Sequence, residues 1–454
     1  MRVRFVRFQR LLFNIFPGKK IVGRALLAML QRIKDEKKLK TTIGCLPRVV
    51  ASHSAIVSLR NARFVKETSS GRDLVISCGN TTHEWTPKML TTNGKGFVGG
   101  SEEAVINLSR ELTKLGWNVT VYNNCGTKPI TDPVACYGHD GVPTHRIVTY
   151  RPSWERNLFD KQDVVILWRF PKPLDMPINA AKVFVDLHDT VAADEFTPER
   201  LERVTKILVK SKFHRSLFPN IPDHKIAVIP NGMDLSLLES SLPIKRDPYL
   251  VINTSSADRS MDVLPKLFKE VKKRVPQAKL QWAYGWDVFK AARYKDKEEA
   301  KTKRRWMKQT QKEMDEAGIE ALGRLTQAEV GKLYQRASIL AYPTEFAEID
   351  CISVKKAQAA GCLPVLTDFG ALAESAPFGW KVHSPKTKDT WFRPGAFHFG
   401  LEDEHLQQEW VELCVKALLT RGLSDHADWA DRREWSRQFE WDKIAAKWHA
   451  ILTA

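Results

Sequence analysis

At 454 residues the chain exceeds what one hydrophobic core supports, so two α/β domains with added segments are expected. Its 43% hydrophobic content, with 14 Trp and 21 Phe, points to a well-packed globule, and with no apolar run of about 18 residues no transmembrane helix is expected. The formal net charge of +18 is uneven: residues 1–67 carry 16 Lys/Arg against Asp35, Glu36 and Glu67, a net +13, which leaves the body without the organised basic face or motif of a nucleic-acid binder.

Seven scattered cysteines (Cys45, Cys78, Cys125, Cys136, Cys351, Cys362, Cys414) show no CxxC or Cys/His clustering, which favours free thiols in a reducing, cytoplasmic compartment over disulfides or zinc. The extension begins with alternating basic and apolar residues from Arg2 to Phe8 and breaks at Pro17-Gly18. From Ile21 to Lys40, the apolar positions Val22, Ala25, Leu26, Met29, Leu30 and Ile33 follow helical spacing with Lys/Arg between them. Two readings stand side by side. Residues 1–40 form a peripheral contact with an anionic membrane or a targeting segment, or the helix packs on its own protein with a solvated basic face.

An α/β body starts near Asp73. Leu74–Ser77 reads as a strand, the loop from Cys78 to Val98 follows, Gly99-Gly100-Ser101-Glu102-Glu103 opens a helix reaching Leu115-Gly116, and Asn118–Tyr122 is the next strand. This strand–helix–strand unit implies a parallel sheet. Further strands fit Val164–Trp168, Val183–Leu187, Ile207–Val209 and Ala227–Ile229; Pro230-Asn231-Gly232 is a turn, and Leu238 to Asp247 reads as a linker. A second series follows: strand Tyr249–Asn253, helix Asp262–Val275, strand Lys279–Tyr284, and a charged helical stretch from Asp287 to Glu320. The tail from about Gln407 is helical and rich in Trp.

The stretch from Ala341 to Val365 is the most informative. An apolar strand, Ser338 to Tyr342, breaks at Pro343; an acidic turn precedes a helix closed by Gly361, and a second apolar strand starts at Pro364. Open α/β sheets bind ligands where strand ends meet helix starts, and Glu348 and the backbone N–H groups of Cys351 and Ile352 stand at such a point.

Six segments in order resemble the GT-B fold of the retaining nucleotide-sugar glycosyltransferases of family four: Gly99-Gly100-Ser101-Glu102, Asp186-Leu187-His188-Asp189, Val209–Phe213, Ile229–Asp234, Gly323-Arg324-Leu325 and 341–365. The resemblance covers roughly residues 73–454. It implies an α/β fold with two Rossmann-like domains facing a cleft: a basic extension (1–67), an acceptor domain (68–243), a donor domain (244–425) and a C-terminal helix crossing back (426–454), with Phe439–Ala445 and Trp448 as the crossing element.

The resemblance also implies roles. His188 lies against the transferred sugar with Asp189 as an orienting partner or loop cap, and Glu348 contacts that sugar. Donor-binding groups are Gly99, Gly100, Arg259 (with Lys266 as a second candidate of a basic pair), Arg324, Asp350, Cys351, Ile352 and Glu374. The family pattern is Glu, seven residues, Glu, and the second carboxylate takes the ribose; here that position is Lys356, which donates but cannot accept. Lys356 could bond a ribose oxygen, lie near a phosphate, pair with Glu374, or be a solvated helix residue.

The implied reaction moves a sugar from a nucleotide diphosphate donor to a glycan, lipid-linked or small-molecule acceptor with retention, needing neither a cofactor nor, in the absence of an Asp-x-Asp motif or His cluster, a metal. Acceptor specificity falls to the loops around Thr81–Val98 and Ala135–Trp154, whose aromatics (Trp85, Phe97, Tyr150, Trp154) either stack on sugar or pack. Competing readings are a nucleotide- or glycan-binding protein that has lost catalysis, a phosphorylase or epimerase of the same fold, and a protein whose basic extension, as an anchor, is the main functional part.

Overall fold

The apolar runs of the sequence become the inner strands of two sheets. A computed structural model describes residues 26–44, 46, 50, 53–79, 81, 83–90, 98–137, 143–238, 244–292, 296–386, 398–420 and 429–454. In the first sheet, β1 (Asp73–Ser77), β2 (Asn118–Asn123), β3 (Ile130–Tyr137), β4 (Pro143–Pro152), β5 (Gln162–Trp168), β6 (Ala180–Asp186), β7 (Lys206–Val209) and β8 (Ile226–Val228) take the order β3-β4-β2-β1-β5-β6-β7-β8. All pairings are parallel except β3 with β4. The second sheet, of β9 (Asp247–Asn253), β10 (Lys279–Trp282), β11 (Ile319–Ala321), β12 (Ala337–Tyr342), β13 (Leu363–Thr367) and β14 (Trp380–Val382), has the order β11-β10-β9-β12-β13-β14 and is wholly parallel. Strands such as β12 and β13 are buried at every position, as sheets with both faces covered require.

Four helices position the site. They are α1 (Gly100–Lys114), α2 (Lys212–Ser216), α3 (Ile352–Ala359) and α4 (Trp441–Thr453). Helix α4 leaves the second domain and packs on the first, where Trp441, Ile444, Ala445, Trp448 and Leu452 join Leu74, Ile76, Val121 and Ile166 in one core. The crossing needs Gly232, where a Cβ would lie 2.4 Å from the Trp441 ring, and the Met233 N–H donates to the Phe439 carbonyl at 2.8 Å. The preceding helix, Trp429–Arg437, stays with the second domain through Trp435.

Two expectations fail here. Much of the segment from Ala135 to Trp154, expected as an acceptor loop, lies in the antiparallel β3–β4 pair, whose β4 alternates buried and less buried residues toward its end. Trp85 and Tyr150 are fully buried and pack edge-to-face with centroids 6.4 Å apart, so they are core rather than sugar platforms, while Phe97 lies outside the described residues. The single helix expected from Ile21 to Lys40 is interrupted: Asp35 accepts from the Lys38 N–H (2.5 Å), the bond that caps a new helix at Glu36–Gly44. Within the described part of the extension, Leu30, Leu39, Ile43 and Ile56 form a small core of their own with Leu26 and Ile33 packed on it. That unit is tied to the first domain by Lys66 N–H to Asp160 (2.7 Å) and Asn157 to the Phe64 carbonyl (2.8 Å). Residues 1–25 lie outside the described set. Among the described residues no helix is long and apolar enough to cross a membrane.

Candidate functional site

The carboxyl ends of β6 and β7 carry a buried ionic cluster. His188 leaves β6 two residues after Asp186, and residues i and i+2 of an extended segment share a side. His188 Nε2 lies 2.8 Å from Asp186 Oδ2, and Lys210, at the end of the neighbouring strand, pairs with Asp186 Oδ1. All three side chains are at most 5% exposed. Burial pushes the Asp186 carboxyl up, but Lys210 and His188 hold it at about 2, so it is an ionised acceptor. His188 therefore donates through Nε2 and keeps an Nδ1 lone pair. Burial first, then the Lys210 ammonium, lower the His188 pKa and keep the ring neutral. The Trp168 ring packs 6.1 Å away, and Trp448 of α4 lies 5.7 Å from the Lys210 ammonium. Asp189, expected as an orienting partner of His188 or a loop cap, is held by Arg169 at 2.6 Å, while His188 is oriented by Asp186. Arg169 has φ +75, a left-handed conformation that a non-glycine residue holds only when its surroundings impose it.

At the matching end of β12, Glu348 is set by three contacts. The Tyr342 hydroxyl donates to its Oε1 at 2.6 Å, Arg259 Nε lies 3.5 Å from the same oxygen, and its carbonyl accepts from the Ala371 N–H at 2.8 Å. Gly370, at φ +64, is needed there, because a Cβ would fall 2.9 Å from the Glu348 carbonyl oxygen. Arg259 also pairs with Asp258 and stacks on Phe346 with 3.4 Å to the ring centroid. Burial acts to lower the guanidinium pKa, but Asp258 and Glu348 more than reverse it.

Several expected donor contacts are otherwise engaged. Asp350 is 2% exposed, pairs with Lys355 and accepts from the Asn231 N–H at 2.7 Å, so it ties the inter-domain turn to the second sheet. The Cys351 N–H donates to Ser375 Oγ at 3.1 Å and its thiol is buried, which leaves the half-buried Ile352, the first residue of α3, as the member of that pair that borders the inter-domain cavity. Glu374 accepts from the Lys212 and Phe213 N–H groups of the first domain (2.9 and 2.7 Å), not from Lys356. Lys356 is neither solvated nor paired with Glu374: at 7% exposure it donates to Glu103 Oε1 (2.8 Å) on α1 and to Gln327 Oε1 (2.9 Å). Lys266 sits at the surface, within reach of Glu404 and Gln407.

Between the domains lies a cavity of about 170 Å³, far above the roughly 10–15 Å³ that one water needs. Gly99 and Gly100 at the start of α1 form one wall; Tyr284, Arg324, Ile352 and Lys356 form the other. A Cβ on Gly100 would lie 3.6 Å from Ile352 Cδ1, so the walls nearly meet. Arg324 stacks on Tyr284 with 4.5 Å to the centroid, and burial lowers its pKa. Five of the sequence-predicted donor residues (Gly99, Gly100, Arg324, Ile352, Lys356) thus border one space. Sequence reasoning missed Asp186, Lys210, Tyr342, Glu103 and Tyr284. Asp186 alone had a visible signal, the i, i+2 spacing to His188. The described cysteines are all free, and no group of three His, Cys, Asp or Glu side chains among the described residues is arranged for a metal.

No protein-family model matches the sequence, and no curated protein matches it significantly. Among solved structures the likeness is to two-domain GT-B glycosyltransferases. HepE from Anabaena, in complex with UDP, is 12% identical with a TM-score of 0.56, and the match covers 84% of this chain and 99% of that one. Sucrose-phosphate synthase from Thermosynechococcus elongatus is 14% identical, TM-score 0.55, over 84% and 98%. A glycosyltransferase involved in avilamycin A biosynthesis is 15% identical, TM-score 0.51, over 84% and 97%. The chain has the GT-B fold.

Proposed function

We propose that this protein is a glycosyltransferase that moves a sugar from a nucleoside diphosphate donor to a glycan, lipid-linked or small-molecule acceptor, with retention at the anomeric carbon and without a metal. The observation that carries this reading is the inter-domain cavity bordered by Gly99, Gly100, Arg324, Ile352 and Lys356. It joins a glycine-opened helix N-terminus, which suits anions, to an aromatic–guanidinium stack, which suits a planar base. UDP-sugars are the first donors to try, because HepE, of the same fold, binds UDP.

As the glycosidic bond breaks, negative charge grows on the pyrophosphate. Arg259, Arg324 and the N-termini of α1 and α3 supply positive potential for it without rearrangement at the moment of reaction. Glu348, fixed by Tyr342 and Arg259, presents a carboxylate beside the sugar and the developing oxocarbenium centre. His188, neutral with its Nδ1 lone pair, accepts from a sugar hydroxyl and orients it. No enzymic nucleophile is required, since the incoming acceptor reacts on the face the pyrophosphate leaves. Such preorganised groups each contribute about 3–4 kcal/mol to catalysis.

The test is differential sensitivity. Glu348→Gln and His188→Ala are expected to lower transfer by roughly a hundredfold or more while nucleotide affinity stays within about threefold. Arg259→Ala is expected to weaken nucleoside diphosphate binding itself by about tenfold. Transfer unchanged in all three variants would refute the site assignment.

A further inference from the structure

The cavity contains one carboxylate among its described lining residues, and it comes from the first domain. Glu103 stands in the first turn of α1 with only 6% of its side chain exposed. Burying an ionised carboxylate is costly unless it is paired and hydrogen-bonded. The partner is Lys356 on the opposite domain, whose ammonium meets Glu103 Oε1 at 2.8 Å and Gln327 Oε1 at 2.9 Å. A Lys ammonium has three N–H donors, and a carboxylate about four acceptor sites. Two of the former and one of the latter are used by these bonds. The pair therefore offers the cavity an acceptor and a donor side by side. A vicinal diol needs that combination: two hydroxyls that donate to a carboxylate while their oxygens accept.

We infer that Glu103, held by Lys356 across the cleft, is the group that receives the ribose hydroxyls of the bound nucleotide. The inference rests on the glycosyltransferase reading and adds a recognition residue to it. The carboxylate that position 356 cannot provide reaches the same space from α1. Because Glu103 and Lys356 belong to different domains, the ribose site is complete only when the cleft is closed.

The experiment measures affinity for UDP, GDP and ADP and for the 2′-deoxy and 3′-deoxy forms of whichever binds, using full-length protein. For the native chain the account predicts at least one deoxy form bound about tenfold more weakly than the ribonucleotide, the effect of losing a hydrogen bond to a charged group. Replacing both partners by leucine (Glu103→Leu with Lys356→Leu) removes the charges together and avoids a stranded one. In that variant the ratio is expected to fall below about twofold. The charge swap (Glu103→Lys with Lys356→Glu) keeps both the bridge and a carboxylate on the cavity, and is expected to retain the ratio. If the leucine pair does not fold, Glu103→Gln, which keeps the volume and loses the charge, is expected to bring the ratio to about threefold.

A merely structural bridge behaves differently: its removal weakens ribo and deoxy nucleotides alike. A native ratio near one, or a ratio unchanged in the leucine pair, overturns the inference while leaving the glycosyltransferase reading standing. Absence of binding by all three nucleotides overturns both.

Discussion

His188 owes its protonation state to two residues that the substrate never needs to touch. Asp186 fixes the tautomer, and Lys210 both anchors Asp186 and opposes a positive imidazole. The sign of the pH dependence follows. A His whose folded pKa lies below the unfolded value near 6.5 contributes stability that is complete above that value and declines as pH falls through it toward the folded pKa. Lys210→Met is expected to raise the His188 pKa and shift the acidic limb of the kcat/KM profile to higher pH. It should also cost about 3–5 kcal/mol, because Asp186 loses a buried partner. A pH–rate profile and a denaturant titration of the variant check both. An unmoved acidic limb would mean that Lys210 is structural only. Asp186 was missed although its spacing to His188 could have pointed to it, and Lys210 carried no such signal, because only strand pairing brings β7 beside β6.

At the scale of elements, the crossing helix α4 holds the first domain's core and the ionic cluster together. Trp448 is 1% exposed and lies against Lys210. Trp448→Ala is expected to cost about 3–5 kcal/mol in urea unfolding and to lower transfer more than donor binding. Gly232→Ala should destabilise the same junction by about 1–3 kcal/mol, since the new methyl meets the Trp441 ring. Equal unfolding midpoints for both variants and the native chain would show that the helix does not support this core. This element was readable beforehand through the resemblance to the GT-B fold, which assigned Phe439–Ala445 and Trp448 to a helix crossing back, while the sheets' inner strands stood out as apolar runs. The β3–β4 pair was not readable, because its outer residues are polar or half-exposed and its inner ones alternate too briefly. The partners of Asp350, Cys351, Lys356 and Glu374 were hidden for a related reason. Apart from the nearby Lys355 that pairs with Asp350, each partner is distant in sequence, and spacing along the chain carries no information about such contacts.

Over the whole molecule, the described residues include a bridge on each of two sides of the cleft. Lys356 reaches Glu103 on one flank, and Glu374 accepts from the N–H groups of Lys212 and Phe213 on the other. Both involve charged groups at the mouths of the domains, so closure is stabilised by contacts that opening must break. Glu374→Ala is expected to increase the radius of gyration in solution scattering and to raise the donor KM several-fold, with kcat falling less. An unchanged scattering profile would place the control of closure elsewhere.

The most direct measurement is nucleotide release from UDP-, GDP- and ADP-linked sugars by the full-length protein, with and without EDTA. Slow release of one nucleoside diphosphate, unaffected by EDTA and lost in Glu348→Gln, is the predicted result. Neither binding nor release with any donor would contradict the assignment of this cleft to sugar transfer.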